Sequence, residues 1–423
     1  MGSRKSALAT KDKVIQKEVV KNKSKVPLKI DRIFKVINPS AFTADLFKVT
    51  WFKEETVLIG TCDESQRNKI AAFDLDHTLV TTKSGKAFSV NENDWKFTFP
   101  VVVEKLDFLY KNGYKIVVIS NQLGITKKKV PEFFLKKKVA QILKAVGVPV
   151  QCFLATALDK YRKPLPGMWS LVQLYNKVNI DLSKSFFCGD AAGRPAAGWE
   201  VGAKKDFSDS DRKFAFNVGL TFHTPEEFFL NAPPQPFQWK GPDPKLLPLS
   251  TSRAPPFVLE KDSCELLINV GSPGAGKTFF TENFLVPFGY RRINQDTLRS
   301  LQRCLDLCDR LLGNREKVVI DNTNAESSKR GLFLALARKH GVAARCLYFS
   351  TSRDLCRHND IFRELTAGGR PRVGDIALNV YQRRFEMPTA DEGFEAVIEV
   401  PFEVRFKADQ VREYELYCKY LTA

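Results

Sequence analysis

Two carboxylates two residues apart stand at the end of an apolar run in the first half of the chain. Asp74 and Asp76 follow Ile70, Ala71 and Ala72, and on a strand with a period of two their side chains project to the same side. Two like charges this close repel unless a cation lies between them. The pair therefore suggests a Mg²⁺ site in which one carboxylate is the nucleophile and the other is the proton donor. A turn capped by Asp and His is an equally good interpretation of the motif alone.

Three further polar residues supply what this pair lacks, and each follows a predicted strand or lies in the loop beyond it. Ser120 can donate a hydrogen bond to a phosphoryl oxygen, Lys163 can neutralise charge on the transferring group, and Asp190 can hold the metal. Taken singly, they could be a helix cap, a solvated loop charge and a turn former. Their occurrence together and in this order predicts one site that surrounds a phosphoryl group.

A glycine-rich motif of the P-loop type stands in the second half of the chain. It directly follows the apolar run 265–270 and precedes a predicted helix that begins near Phe279. In such a motif the backbone N–H groups face the phosphates, Lys277 reaches the β- and γ-phosphates, and Thr278 binds Mg²⁺. We therefore predict a site for ATP and Mg²⁺ that is formed by Gly271, Ser272, Pro273, Gly274, Ala275, Gly276, Lys277 and Thr278.

A kinase also needs a base for its acceptor hydroxyl and cations over its phosphates. Asp296, after a short predicted strand, is the expected general base, although it could also be the N-cap of a helix through residues 298–308. Arg353, Arg357 and Arg363 lie on one predicted helix. We expect a lid in which Arg357 and Arg363 contact ATP, and a solvated basic face is the alternative.

Strands and helices alternate in both halves of the chain and must position these residues. The predicted strands are 56–59, 69–73, 115–119, 152–154 and 185–188 in the first half, and 265–270 opens the second series. Such alternation predicts an α/β protein with two doubly wound parallel sheets. The predicted domains are a disordered basic arm over 1–44, a phosphatase over 45–230, a proline-rich linker over 231–262 and a kinase over 263–423.

The charge of the whole chain narrows the class of substrate. The net charge is +18 and the sequence pI is near 9.4, which predicts a polyanionic partner, most simply nucleic acid. No apolar run is long enough to span a bilayer, so we expect no stable membrane association. The nine cysteines lack the spacing of zinc ligands and indicate a reducing compartment. The lysine-rich residues 1–30 are typical of a nuclear import signal or a solvated tail.

The motifs of the first half resemble the phosphatases of the haloacid dehalogenase superfamily. The resemblance rests on Asp74-x-Asp76-x-Thr78 followed by Ser120, Lys163 and Gly189-Asp190. It implies that Asp74 attacks phosphorus to form an aspartyl-phosphate, and that Asp76 protonates the leaving alkoxide and then activates water. Predicted helices and strands fill both intervals in which the family inserts a cap domain. We therefore expect an uncapped, open site that accepts a macromolecular substrate.

Both sites together with the positive charge resemble the polynucleotide kinase 3'-phosphatase family, over roughly residues 45–423. The resemblance implies removal of a 3'-phosphate from DNA and ATP-dependent phosphorylation of a 5'-hydroxyl, which leaves ends that a ligase can join. It implies DNA strand-break ends as partners, with repair ligases or scaffolds, and a monomer in the nucleus, with a mitochondrial pool as a further location. It is carried by residues 73–82, 120–125, 163–164, 189–194, 205–208, 217–220, the P-loop, 296–298, 320–324 and 357–359.

Three positions depart from the family pattern. His77 replaces a glycine, Gln295 stands where an Arg often precedes the catalytic Asp, and Ile361 stands where the lid is commonly basic. We expect no forkhead-associated domain, which animal members often carry, before the phosphatase. Of two rival functions, a sugar-phosphate kinase/phosphatase would need neither the +18 charge nor an uncapped site. The other, a nucleic-acid-binding protein with a decayed kinase site, is disfavoured by the intact P-loop and by Asp296.

Overall fold

We describe a computed structural model of the chain, for residues 48–63, 65–196, 204–250, 257–259, 264–366 and 371–422. The basic arm predicted over residues 1–44 lies outside these residues, and so does its import signal. Within the described ranges, no helix is both long enough and apolar enough to cross a bilayer.

The first half of the chain forms a seven-stranded sheet. Its strands are β1 (Thr50–Glu54), β2 (Val57–Thr61), β3 (Lys69–Phe73), β6 (Tyr114–Asn121), β7 (Val150–Ala155), β8 (Phe186–Cys188) and β9 (Thr221–His223), while β4 (Val80–Thr81) and β5 (Lys96–Phe97) pair separately. The order is β1-β2-β7-β6-β3-β8-β9, and the five strands from β7 to β9 run parallel. The predicted parallel sheet is confirmed, and β1 and β2 add an antiparallel edge that was not predicted.

Five helices cover both faces of this sheet. They are α1 (Val102–Lys111), α2 (Glu132–Val146), α3 (Gly167–Asn176), α4 (Ser210–Val218) and α5 (Pro225–Leu230), with a short 3₁₀ turn at Leu182–Lys184. Helices α1, α2 and α5 pack into one hydrophobic core and α3 and α4 into the other. This is the doubly wound arrangement. Between the motifs, the described residues form the β4–β5 hairpin, connecting loops, and the strands and helices of this sheet, with no separate cap domain among them. The described part of the chain therefore agrees with the predicted uncapped site.

The second half forms a five-stranded parallel sheet in the order β11-β12-β10-β13-β14. Its strands are β10 (Glu265–Val270), β11 (Arg291–Ile293), β12 (Val318–Ile320), β13 (Ala343–Phe349) and β14 (Ala396–Val400). Its helices are α6 (Lys277–Phe280), α7 (Gln295–Leu298), α8 (Leu301–Gly313), α9 (Ser327–His340), α10 (Arg353–Thr366), α11 (Gly374–Arg384) and α12 (Val411–Tyr417). One core lies under α8 and α9, and the other under α6, α10 and α11.

The predicted linker is an irregular connection that contacts both halves of the chain where it is described. It contains a 3₁₀ turn at Pro244–Leu246, and the backbone of Leu249 forms a bridge with Val404 of the second half. The backbone N–H of Lys240 donates to Asp209 of the first half. These contacts tie the connection to both halves, while the exact domain limits stay predictions.

Candidate functional site

The first site lies at the carboxyl edge of the parallel strands. Asp74 directly follows the central strand β3, Ser120 is near the end of β6, and Asp190 lies just beyond β8. Lys163 comes from the loop after β7, and its buried ammonium group donates to Asp74 Oδ1 at 2.7 Å and to the carbonyl of Ile119 at 2.7 Å. The structure thus brings together the residues that were predicted from four separate strand ends.

Three carboxylates of this site form a group that can hold a metal ion. Oxygen atoms of Asp74, Asp190 and Asp211 all lie within 4.8 Å of one another. Asp211, at the start of α4, also accepts a 2.8 Å hydrogen bond from Lys163. The close approach of Asp211 requires glycine at position 189, because a Cβ there would lie 2.4 Å from its Oδ2. Sequence reasoning missed Asp211, since an acidic residue in the first turn of a helix is equally typical of a stabilised helix end.

The charges of this group are not balanced within the protein. Burial, with Asp211 and Asp74 beside it, raises the pKa of Asp190 well above its ordinary value. Burial also raises the pKa of Asp211 to about 6, although Lys163 opposes the change. Three carboxylates face one ammonium, and hard oxygen ligands with excess negative charge are what Mg²⁺ prefers. The residues therefore fit a divalent cation.

The side chain of Asp76 lies outside this group, so its predicted place among the metal ligands is not supported. Lys138 of α2 donates to Asp76 Oδ1 at 2.9 Å, and Gln122 donates to Oδ2 at 2.8 Å and to Ser120 Oγ at 3.1 Å. Desolvation would raise the pKa of Asp76, but the Lys138 ammonium and the hydrogen bonds outweigh it and hold the pKa below its usual value. Lys138 was not predicted, because a lysine in a lysine-rich helix carries no distinguishing signal.

The backbone at His77 explains why glycine is usual at this position. His77 is exposed and has a φ of 61°, which is the left-handed region that glycine enters without steric cost. The next residue, Thr78, accepts a hydrogen bond from the backbone N–H of Asp190 at 3.0 Å. The left-handed turn thus lets the loop after β3 reach the loop after β8.

The second site is a cavity of about 870 Å³ lined by the P-loop. Lys277 is buried and donates to the carbonyls of Gly271 and Ser272 at 2.8 and 2.7 Å. Burial lowers the pKa of Lys277 to about 8. Thr278 donates to Asp321 Oδ2 at 2.9 Å. A hydroxyl and a carboxylate at this distance fit the ligands of Mg²⁺ and its waters. The sequence indicates a buried strand at 317–320 that ends in polar residues able to support the metal or the acceptor, and Asp321 is the first of them.

The P-loop can form only with glycine at position 274. Gly274 has a φ of +80°, and a Cβ there would lie 2.4 Å from the carbonyl oxygen of Cys356. Its own carbonyl accepts a 2.9 Å hydrogen bond from Asn359 of α10. Helix α10 therefore supports the P-loop from behind.

Asp296 lines the same cavity and is exposed. The alternative interpretation of Asp296 as a helix N-cap is wrong. Asn294 caps α7 by accepting from the backbone of Thr297, and Ser300 caps α8. The carboxylate of Asp296 is therefore available to an acceptor in the cavity.

The predicted lid is only partly formed by the expected residues. Arg363 of α10 lines the cavity and pairs with Asp360. Arg357 instead pairs with Asp375 of α11 at 3.1 Å, and it is not among the residues that border the cavity. Arg353 donates to a side chain of α11 as well. Arg353 and Arg357 thus hold α11. Of the three arginines, Arg363 is the one that borders the cavity.

Ile361 has a packing role that the lid prediction did not foresee. It is buried in a small apolar cluster with Leu165 and Leu421. Leu165 belongs to the loop that carries Lys163. A basic side chain at 361 would be buried in this contact between the two halves, whereas Gln295 remains at the cavity wall.

Comparisons with known proteins find a separate family match in each half of the chain. The family described as "Polynucleotide kinase 3 phosphatase" matches residues 69–229, and the AAA domain matches residues 299–388. The bifunctional polynucleotide phosphatase/kinase of Schizosaccharomyces pombe is 36% identical over 84% of this chain and 85% of its own length. The polynucleotide 3'-phosphatase ZDP of Arabidopsis thaliana is 35% identical over 44% of this chain and 28% of its length.

Among solved structures, a HAD-like phosphatase from Mesorhizobium loti is 20% identical, with a TM-score of 0.30, over 39% of this chain and 78% of that one. The match to the Schizosaccharomyces pombe protein covers 84% of this chain, so it extends into both sheets. The chain belongs to the family of bifunctional polynucleotide phosphatase/kinases.

Proposed function

We propose that this protein removes 3'-phosphates from DNA ends through an aspartyl-phosphate and phosphorylates 5'-hydroxyl ends with ATP. The observation that carries the proposal is the buried Lys163, which joins Asp74 and Asp211 in a site that is separate from the P-loop cavity. The two products are the ends that a ligase needs, so the reactions prepare strand breaks for joining.

In the phosphatase reaction, a carboxylate oxygen of Asp74 attacks phosphorus and the bond from phosphorus to the 3'-oxygen breaks. Lys163 holds Asp74 in place and offsets charge on the phosphoryl oxygens, to which Ser120 donates a hydrogen bond. Water then attacks the aspartyl-phosphate, inorganic phosphate leaves and Asp74 is restored. Mg²⁺ held by Asp74, Asp190 and Asp211, and a second Mg²⁺ beside Thr278, would neutralise charge on the transferring groups.

Asp76 is the residue that we propose moves the proton in both steps. It protonates the 3'-oxygen as that oxygen leaves and later takes a proton from the attacking water. Since Lys138 and Gln122 hold its pKa low, Asp76 is a carboxylate in the resting protein. The approach of a phosphate dianion opposes that charge and favours uptake of the proton that Asp76 then donates.

In the kinase reaction, Asp296 accepts the proton of the 5'-hydroxyl as the hydroxyl oxygen attacks the γ-phosphorus of ATP. The bond from that phosphorus to the β,γ-bridging oxygen breaks, and ADP leaves. Lys277 turns from the carbonyls of Gly271 and Ser272 to the β- and γ-phosphates, and Arg363 adds positive charge from α10. The exposure of Asp296 within the cavity supports an acceptor as large as a polynucleotide end.

The net charge of +18 supports a polyanionic substrate, and the expected nuclear localisation rests on the same basic composition. Binding of an oligonucleotide should weaken steeply as salt is raised, because each phosphate contact releases counterions. A tagged chain that stayed out of nuclei would contradict the localisation without touching the chemistry.

The test is a nicked oligonucleotide with a labelled 3'-phosphate and a free 5'-hydroxyl, incubated with and without ATP. The wild-type protein should release phosphate under both conditions and phosphorylate the 5' end only with ATP. Asp74→Asn should stop phosphate release and leave 5' phosphorylation intact, and Lys277→Ala should do the reverse. Phosphate release by Asp74→Asn at the wild-type rate would rule out the nucleophile.

A further inference from the structure

A single segment of the chain touches the supports of both sites. We call residues 411–422 the strap: it consists of α12 (Val411–Tyr417) and the residues that follow to Thr422. The strap leaves the kinase cavity, which Tyr417 borders, and crosses to α4 of the phosphatase half. There Lys213 donates to the carbonyl of Thr422 at 3.0 Å.

At the kinase end, the strap is two hydrogen bonds away from the P-loop. The hydroxyl of Tyr417 donates to Asn359 Oδ1 at 2.7 Å, and Asn359 Nδ2 donates to the carbonyl of Gly274 at 2.9 Å. His358 Nε2 lies 3.0 Å from the carbonyl oxygen of Tyr417. Tyr417 therefore fixes the orientation of the amide that holds the P-loop backbone.

At the phosphatase end, the strap is held by the same side chain as the loop of Lys163. Asn217 of α4 donates from Nδ2 to the carbonyl of Pro164 at 2.9 Å and to that of Tyr420 at 2.8 Å. Its Oδ1 accepts from the backbone N–H of Tyr420 at 2.8 Å. Asn121 holds the other side of the loop, through the backbone of Lys163.

The contact is buried, so its hydrogen bonds are not replaced by water when one partner is lost. Asn217 is 7% exposed and Tyr420 3%. The ring of Tyr420 stacks on Trp239 with centroids 4.7 Å apart. The apolar cluster of Leu165, Ile361 and Leu421 closes the remaining side. The strap thus has a defined position against both halves.

We propose that the strap is a shared positioning element: Asn217 places Lys163 for the phosphatase through Pro164, Tyr417 places the P-loop for the kinase through Asn359, and residues 418–422 join the two. The proposal rests on the two proposed activities, because it concerns the residues that position their sites. It predicts that damage at one end of the strap is felt at the other.

The first test is Asn217→Leu, compared with Asn176→Leu. Asn176 is also a buried asparagine at the end of a helix, and its side-chain amide donates to two backbone carbonyls. These carbonyls belong to Arg67 and Val178, which are remote from the strap. Asn217→Leu should lower the phosphatase kcat about tenfold with little change in KM, since a displaced Lys163 weakens transition-state stabilisation. It should also raise the kinase KM for ATP about threefold. Asn176→Leu should lower the melting temperature similarly and leave both constants within about twofold.

The second test is Tyr417→Phe, with Tyr414→Phe one turn earlier on the same helix as its control. Tyr417→Phe should raise the KM for ATP and should also lower the phosphatase kcat, by about two- to threefold. If each end affects only its own site, or if Asn217→Leu behaves like Asn176→Leu, the strap is not a shared positioning element.

A measurement without catalysis separates this proposal from the proposed function. Amide hydrogen exchange in residues 271–278 should be faster in Asn217→Leu than in the wild type, and unchanged in Asn176→Leu. A wild-type protein inactive on oligonucleotides would refute the proposed activities, while this exchange result would still decide for or against the strap. Unchanged amide exchange of residues 271–278 in Asn217→Leu would overturn the proposal that the strap positions both sites.

Discussion

Each of the two sites contains a buried lysine at the place where a phosphoryl group is expected. The surroundings of the two lysines shift their pKa values in opposite directions. Burial would lower the pKa of Lys163, but Asp211 and Asp74 outweigh it and raise the pKa above its ordinary value. Among the described residues, the hydrogen-bond acceptors of Lys277 are the carbonyls of Gly271 and Ser272, and burial lowers the pKa of Lys277 to about 8. The first ammonium is paired by the protein, whereas the second is left for a ligand to pair.

This difference follows from what each site must do. In the proposed phosphatase reaction, the nucleophilic carboxylate has to be present before the substrate arrives, so Lys163 has its countercharge in Asp74 itself. A P-loop receives its negative charge with the nucleotide, and the backbone carbonyls keep Lys277 in place until then. The comparison predicts different responses of the two sites to loss of a charge, to pH and to backbone substitution.

The largest effect is expected from the carboxylate that completes the first site. Asp211→Asn removes a charge that both Lys163 and the metal group use. We expect the phosphatase kcat to fall by about 10³-fold, with the Mg²⁺ requirement moved to higher concentration. The 5' phosphorylation activity of the same preparation is the control and should be unchanged. If Asp211→Asn had the wild-type phosphatase rate and the wild-type Mg²⁺ dependence, Asp211 would have no part in the phosphatase site.

Replacing each lysine by methionine should change stability in opposite directions. Lys163→Met leaves the carboxylates around it unpaired, and we expect a loss of about 3–5 kcal/mol in the free energy of unfolding without Mg²⁺. Lys277→Met removes an ammonium that burial disfavours, and we expect a gain of up to about 3 kcal/mol near pH 7. Urea denaturation of the two variants beside the wild type measures both. Equal destabilisation by the two substitutions would contradict the comparison.

The pH dependence of ATP binding should report on Lys277 alone. Because its pKa is about 8 in the free protein and bound phosphates favour the ammonium, binding takes up a proton above pH 8. We expect the affinity for a non-hydrolysable ATP analogue to fall about tenfold per pH unit above 8. Titration calorimetry from pH 7 to pH 9.5 checks this.

The variant Lys277→Arg is the control, since a guanidinium stays charged over this range and its affinity should stay flat. Stability should change with pH in the opposite direction to ATP affinity. Between about pH 8 and the ordinary lysine pKa the unfolded chain binds more protons than the folded one, so the contribution of Lys277 to the free energy of unfolding rises with pH. A decline in affinity that is identical in the Arg variant would mean that another group titrates.

Part of each site could be predicted because parallel strands end at one edge of a sheet. Asp74 and Asp190 follow strands and Ser120 lies near the end of one, so their convergence could be predicted from the alternation of strands and helices. Asp211 and Lys138 approach from helices, and the sequence does not give the distance or the rotation of a helix relative to a site. The position of Asp211 requires that residue 189 has no side chain. The two residues are 22 positions apart, so no local sequence pattern indicates that they meet.

The same limit explains the lid and the strap. A helix that carries arginines four and six residues apart presents them to different surroundings. Helix α10 directs Arg357 towards α11 and Ile361 towards the phosphatase half. The contact between the halves depends on Asn217 and Tyr420, which are some 200 residues apart in the chain. Hydrophobic periodicity identified the helices but not which neighbour each face meets.

The smallest effect is expected where the first site uses a left-handed residue other than glycine. His77→Gly relieves a positive φ and adds freedom to the unfolded chain, so the free energy of unfolding should change by no more than about 1 kcal/mol. The phosphatase rate should be unchanged, because the exposed imidazole has no role in the proposed steps. In the second site, Gly274 has a similar φ, but its α-carbon faces the carbonyl of Cys356.

Gly274→Ala should therefore abolish ATP binding, while the converse change at 77 is tolerated. Thermal unfolding and the two activity assays on both variants measure the contrast. It would fail if His77→Gly lowered the phosphatase rate severalfold, since the imidazole would then act beside Asp76. In that case histidine would be needed at position 77 for its imidazole group, and the left-handed backbone conformation would not by itself explain which residue stands there.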